Sequence, residues 1–136
     1  AFEQVDLLAP VQMGKHAQAQ GTQHMLVISA MGANPSSSIY YNRIKGKMEE
    51  QVSVLQLPHV SIFRPSLLTG DRQEFRLGER FGALAMKALK SSFIGPLKKY
   101  RAIEAQQVAF AMMQKALETP SNKVSIYESE EIENIK

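Results

Sequence analysis

Tyr41 and Lys45 stand four residues apart in "YYNRIKGKMEE", and Ser29 closes an apolar run twelve residues before the tyrosine. On a helix, residues at this spacing share a face, so a phenol and an ammonium can act together. An adjacent ammonium favours the phenolate and lowers a phenol pKa that starts at about 10. Such a tyrosine can serve as general acid or base near neutral pH. Ser29 falls at the end of a strand-like run, where open α/β sheets bind ligands, and its hydroxyl can hold a carbonyl or alcohol oxygen. By itself the pair is weak evidence. With four tyrosines in 136 residues, chance placement gives about 0.3 occurrences of Tyr-x-x-x-Lys, and Tyr41 can equally be read as a surface residue of an amphipathic helix. A serine-ended buried strand, a loop and then the pair on the next helix is a far more demanding pattern. Tyr40 has Ile44 four residues on and no cation there, so Tyr41 is the better candidate.

The elements that must position these groups follow from periodicity. Residues 2–20 read as a helix with Phe2, Val5, Leu8, Val11 and Gln12 at helical spacing, stopped at Gly21. "HMLVIS" (24–29) is a continuous apolar run, the pattern of a strand buried on both faces. "GANPSSS" is a loop whose serines are candidate caps for the next helix. Ile44, Met48 and Val52 mark the core stripe of that helix, from about Ser38 to Leu55. "HVSIFRP" (59–65) is a second strand, ended by Pro65. After a polar loop come two more helices, "FGALAMKALKSS" and 103–118, the latter with Val108, Met112 and Ala116 on one face. "KVSIYES" is a last strand, and Ser129 is placed to cap a terminal helical turn. Strands separated by helices imply parallel pairing, so the expected architecture is an α/β sheet with near-parallel strands at about 24–29, 59–64 and 124–127.

Composition bounds the function. At 136 residues, with 44% hydrophobic and 21% charged residues, the chain suits one globular domain rather than two or a disordered segment. The net charge of +3 is mild, and only "LKKYR" clusters basic residues, so nucleic acid is not an expected partner. No apolar run approaches the roughly 18 residues of a membrane span. Zero cysteines exclude a disulfide scaffold or thiolate metal site and suit a reducing cytosol, so a cytoplasmic location is expected. "AFEQVDLLAP" has the layout of mid-domain sequence, not of a signal peptide. His16, His24 and His59 show no metal-ligand spacing, and the seven methionines sit mainly at core positions of helices.

The order Ser-(12)-Tyr-x-x-x-Lys resembles the active site of short-chain dehydrogenases/reductases. "VISAMGANPSSS", "YYNRIKGKMEEQV", "IFRPSLLTGDRQEFRLGER" and "IEAQQVAFAM" are similar to one atypical branch, the Tat-interacting-protein-like group with its bacterial oxidoreductase relatives. The resemblance runs from Gln23 to about Met113. It implies a Rossmann-like NAD(P)-binding domain in which Tyr41 and Lys45 are the proton-transfer pair. It further implies that Lys45 holds the nicotinamide ribose and that Pro65 and Ser66 line the nicotinamide end of the cofactor. Family members often carry a serine pair where this chain has Ser29-Ala30. Arg72, Glu74, Arg76 and Glu79 form either a charge network over the substrate or a solvated loop braced by weak ion pairs.

No G-x-G-x-x-G follows a strand, so nothing between Ala1 and Lys136 cradles a pyrophosphate. The chain therefore reads as the carboxyl-terminal part of a single, incomplete Rossmann-like domain, without its glycine-rich amino-terminal half. Residues 1–136 alone are expected to hold NAD(P) no tighter than millimolar, about 4 kcal/mol of binding. Two functions follow from the resemblance. One is an NAD(P)-dependent oxidoreductase or epimerase acting on a small carbonyl or alcohol. The other is a non-catalytic dinucleotide-sensing or partner-binding regulatory protein of the same fold. A homo-oligomer is compatible with either.

Overall fold

The apolar runs become three parallel strands with helices on both faces. A computed structural model describes residues 1–66, the backbone of residues 68–69, and residues 103–136. A π-helical segment, Gln4–Leu8, leads into α1, Ala9–Ala19. There follow β1, His24–Ile28, α2, Tyr40–Ser53, and β2, His59–Arg64. The two-residue strands β3, Leu68–Thr69, and β4, Ile103–Glu104, precede α3, Ala105–Ala116. The last elements are β5, Val124–Glu128, and α4, Ser129–Glu133.

The main sheet has the order β1-β2-β5, and both pairings are parallel, as the alternation of strands and helices requires. Its register sets Ile28 beside Phe63 and Arg64 beside Glu128. The arrangement is that of part of a Rossmann-like domain. Side-chain alternation along β2 then divides the core. Val60 and Ile62 face α1 and α2, where Val11, Met48, Val52 and Leu57 close one layer. Phe63 faces the other way and packs with Val108, Ala111 and Ile132. β3 and β4 pair in parallel, Leu68 beside Ile103. Two residues carry no legible period, so this pairing was not expected from the sequence.

Several local expectations are corrected. The inner face of the first helix is phased differently: Val5 and Leu8 are exposed, whereas Val11 and Gly14 are buried. The cause is the π-helical segment, whose wider turn rotates the residues before Ala9 relative to an α-helix. Gly21 does end α1: with φ of +75°, it lets Thr22 N–H reach the Ala17 carbonyl and its own N–H reach that of Gln18, a Schellman closure. No serine side chain caps α2; its N-cap is Ile39, whose own N–H donates to Ser37 Oγ. Glu128 rather than Ser129 caps α4, in a reciprocal box with Glu131. On α3 Val108 is buried with Ala111, Met112 packs partly buried against them as expected, and Ala116 is exposed. β1 is fully buried only at Val27, because among the described residues it has a single neighbour, β2. The expected helix "FGALAMKALKSS" and the charged residues Arg72, Glu74, Arg76 and Glu79 lie outside the described residues.

Candidate active site at the carboxyl edge of the sheet

In a parallel sheet all strands end on the same edge, so the residues that follow β1, β2 and β5 are brought together. Ser29 follows β1, Pro65 and Ser66 follow β2, and Ser129 follows β5. Backbone bonds stitch this edge: Ser29 N–H donates to the Phe63 carbonyl at 2.7 Å and Met31 N–H to the Pro65 carbonyl at 3.1 Å. Ser66 N–H donates to Ser129 Oγ at 3.1 Å, and the Ser129 hydroxyl donates to Ser66 Oγ at 3.0 Å.

Ser29 is 3% exposed, and its hydroxyl has no hydrogen-bond partner among the described residues. A buried hydroxyl left unpaired costs free energy, so such an atom invites a ligand or water. No bond joins it to Tyr41 or Lys45 among the described residues.

Tyr41 and Lys45 occupy the first two turns of α2. Lys45 Nζ lies 5.9 Å from the centre of the Tyr41 ring, within cation–π range, and the Phe2 ring stacks on Tyr41 with the ring centres 5.3 Å apart. Tyr41 is 47% exposed while Lys45 is buried, which leaves the phenol accessible and the cation sheltered. The loop before α2 is held close to this turn by Gly46. A Cβ there would collide with the backbone of Asn34 and Pro35. Tyr40 is not free of cations, since the Arg43 guanidinium lies 5.5 Å from its ring centre. Its phenol is nevertheless pushed up from the ordinary value, by desolvation first and then by the Glu3 carboxylate.

Three features escaped sequence reasoning. Asp6, on the π-helical segment, accepts a hydrogen bond from Lys45 Nζ at 2.8 Å. Glu49, buried one turn beyond Lys45, takes a two-pronged bond from Arg64 at the end of β2, with Nη2 to Oε1 at 2.6 Å and Nε to Oε2 at 3.0 Å. Arg64 Nη1 also reaches Glu128 Oε1 at 2.9 Å. The hydrogen bond that Arg64 donates to Glu49 is the largest influence on it and, against the opposing effect of burial, holds its guanidinium more firmly protonated than usual. The continuation of the Tyr41–Lys45 spacing to Glu49 was a signal for the second of these; nothing in the sequence pointed to Asp6.

Comparison with known proteins gives relatives over most of the chain. It is 30% identical over 131 residues to Protein HTATIP2 of Rattus norvegicus, which covers 96% of this chain and 52% of that protein. It is 30% identical over 118 residues to Protein FMP52, mitochondrial, of Candida albicans, covering 85% of this chain and 52% of the relative. It is 44% identical over 69 residues to Protein fmp52, mitochondrial, of Aspergillus fumigatus, covering 51% of this chain and 30% of the relative. No family model matches the chain. The chain spans about half the length of HTATIP2 and of the Candida albicans FMP52 protein. The cytoplasmic location expected from composition is overturned, because several of these relatives are named as mitochondrial. The physical reason is that a cysteine count constrains disulfides and thiolate sites and carries no address.

Proposed function

We propose that the chain, which is similar to the HTATIP2 and FMP52 proteins and whose Ser29, Tyr41 and Lys45 resemble the short-chain dehydrogenase/reductase pattern, carries the proton-transfer half of an NAD(P)-dependent oxidoreductase or epimerase-like site for a carbonyl or alcohol. The observation that carries this reading is the Tyr41–Lys45 pair on α2, near an edge where the buried Ser29 hydroxyl has no partner among the described residues. When bound, a nicotinamide dinucleotide supplies the hydride donor or acceptor. Tyr41 gives its proton to the substrate oxygen in reduction and takes it back in oxidation. Lys45 stabilises the negative charge left on the phenol oxygen and holds the nicotinamide ribose. Ser29 Oγ donates to the substrate oxygen and fixes its position. Pro65 and Ser66 line the nicotinamide end.

The residues present fit that end of the ligand, through one orphaned hydroxyl, one sheltered ammonium and a braced loop. The Asp6 carboxylate must then share Lys45 with the ribose, because an ammonium has three donors and Asp6 Oδ1 takes one. The same bond supports a second reading, a dinucleotide-sensing or partner-binding protein in which Lys45 serves binding without turnover. Oxidation of NADH and of NADPH by the full-length protein against a panel of small aldehydes and ketones separates the two. Turnover sustains the first reading; tight dinucleotide binding with no turnover on any carbonyl sustains the second.

A further inference from the structure

The three charges of Glu49, Arg64 and Glu128 join three elements at points one step away from the proposed site. Glu49 lies one turn beyond Lys45 on α2, Arg64 immediately precedes Pro65, and Glu128 immediately precedes Ser129, which is bonded to Ser66. The Arg64 fork grips both oxygens of Glu49, and its remaining nitrogen reaches Glu128. Adhesion of α2 to β2 does not need this arrangement, because Met48, Val52, Val60 and Ile62 already pack the two elements together. Buried ion pairs are weak glue compared with apolar packing of the same volume. What a planar fork adds is geometry: two parallel bonds fix the angle and the sliding position of the carboxylate relative to the guanidinium.

We propose that Arg64 is a positioning residue that, through Glu49 and Glu128, sets Lys45 in register with Pro65 and Ser66 and so shapes the nicotinamide-ribose subsite. This rests on the dinucleotide-binding reading above. The clamp acts on one end of the ligand only, the end held by Lys45 and the loop after β2. Changing it therefore weakens the nicotinamide half and spares the adenosine half.

The test uses the full-length protein with two half-ligands, reduced nicotinamide mononucleotide and ADP, titrated by calorimetry against the unaltered protein and Arg64→Lys. Lysine keeps the charge but cannot form the fork. The expected result is a loss on the order of tenfold in affinity for the mononucleotide, the effect of one misplaced charged contact, with ADP affinity unchanged. Equal losses for both halves would reveal a general loosening of the fold and overturn the proposal, as would unchanged affinity for both. If Arg64→Lys does not fold, Glu128→Gln carries the same comparison, since this partner is the most exposed of the three. Failure of the unaltered protein to bind either half or the whole dinucleotide would instead refute the dinucleotide reading itself, and the clamp's role with it.

Discussion

Lys45 Nζ sits 2.8 Å from Asp6 Oδ1, across 39 residues of sequence, and the lysine side chain is 9% exposed against 26% for the aspartate. The cation that the proposed chemistry relies on is therefore tethered by a carboxylate from the π-helical segment preceding α1. A tether of this kind holds the ammonium in one place beside Tyr41 while limiting how many of its protons are free for a ligand.

Asp6→Asn removes the charge and keeps the shape. The expected cost is about 1–3 kcal/mol, the usual range for a hydrogen bond between charged partners that are partly sheltered. Urea denaturation of the two single variants, Asp6→Asn and Lys45→Met, and of the double variant checks it. The double variant is expected to lose clearly less than the sum of the two, because each single change already breaks the same contact.

Gly46→Ala sets two effects against each other. Alanine is favoured over glycine inside a helix by about 1 kcal/mol. The added methyl, however, meets the backbone of Asn34 and Pro35, which cannot swing aside as a side chain would. Overpacking costs about 1–3 kcal/mol and more where the obstacle is rigid, so a net loss of stability is expected. A rise in the thermal midpoint would show that the loop yields.

The fold was legible where its signals are local. β1, β2 and β5 announced themselves as short apolar runs, and α2 through Ile44, Met48 and Val52, all of which are buried. The parallel pairing followed from the alternation of element types. The phase of the first helix was not legible, since the widened turn at Gln4–Leu8 leaves no mark on the apolar periodicity of the sequence. Of the proposed site, Tyr41, Lys45 and Ser29 stand out in the sequence as candidates because residue type and spacing limit their chemistry. Asp6 on Lys45 and Arg64 on Glu49 join residues far apart in sequence, and single-sequence patterns carry no information about which distant charges meet.

His24 ties stability to pH. Its Nε2 lies 2.7 Å from Ser61 Oγ, its Nδ1 is buried without a partner among the described residues, and the His59 ring is 6.1 Å away. Burial first, and then the neighbouring His59, push its pKa below the ordinary 6.5. The unfolded chain thus takes up a proton before the folded one does. The contribution of His24 is full above about 6.5 and is lost as pH falls through its depressed folded value. Urea midpoints measured between pH 7.5 and 5 are expected to fall over this window, and more shallowly in His24→Gln.

In the proposed reaction Tyr41 moves the proton while Lys45 assists it. Tyr41→Phe removes one hydroxyl from a half-exposed ring stacked on Phe2, so folding and dinucleotide affinity should be preserved. The direct measurement is kcat for NAD(P)H-dependent carbonyl reduction by the full-length protein carrying Tyr41→Phe, beside Tyr40→Phe as control. A fall on the order of 10²–10⁴-fold is expected for Tyr41→Phe, the size of a general acid–base contribution, and little change for Tyr40→Phe. Turnover by Tyr41→Phe equal to that of the unaltered protein would contradict it.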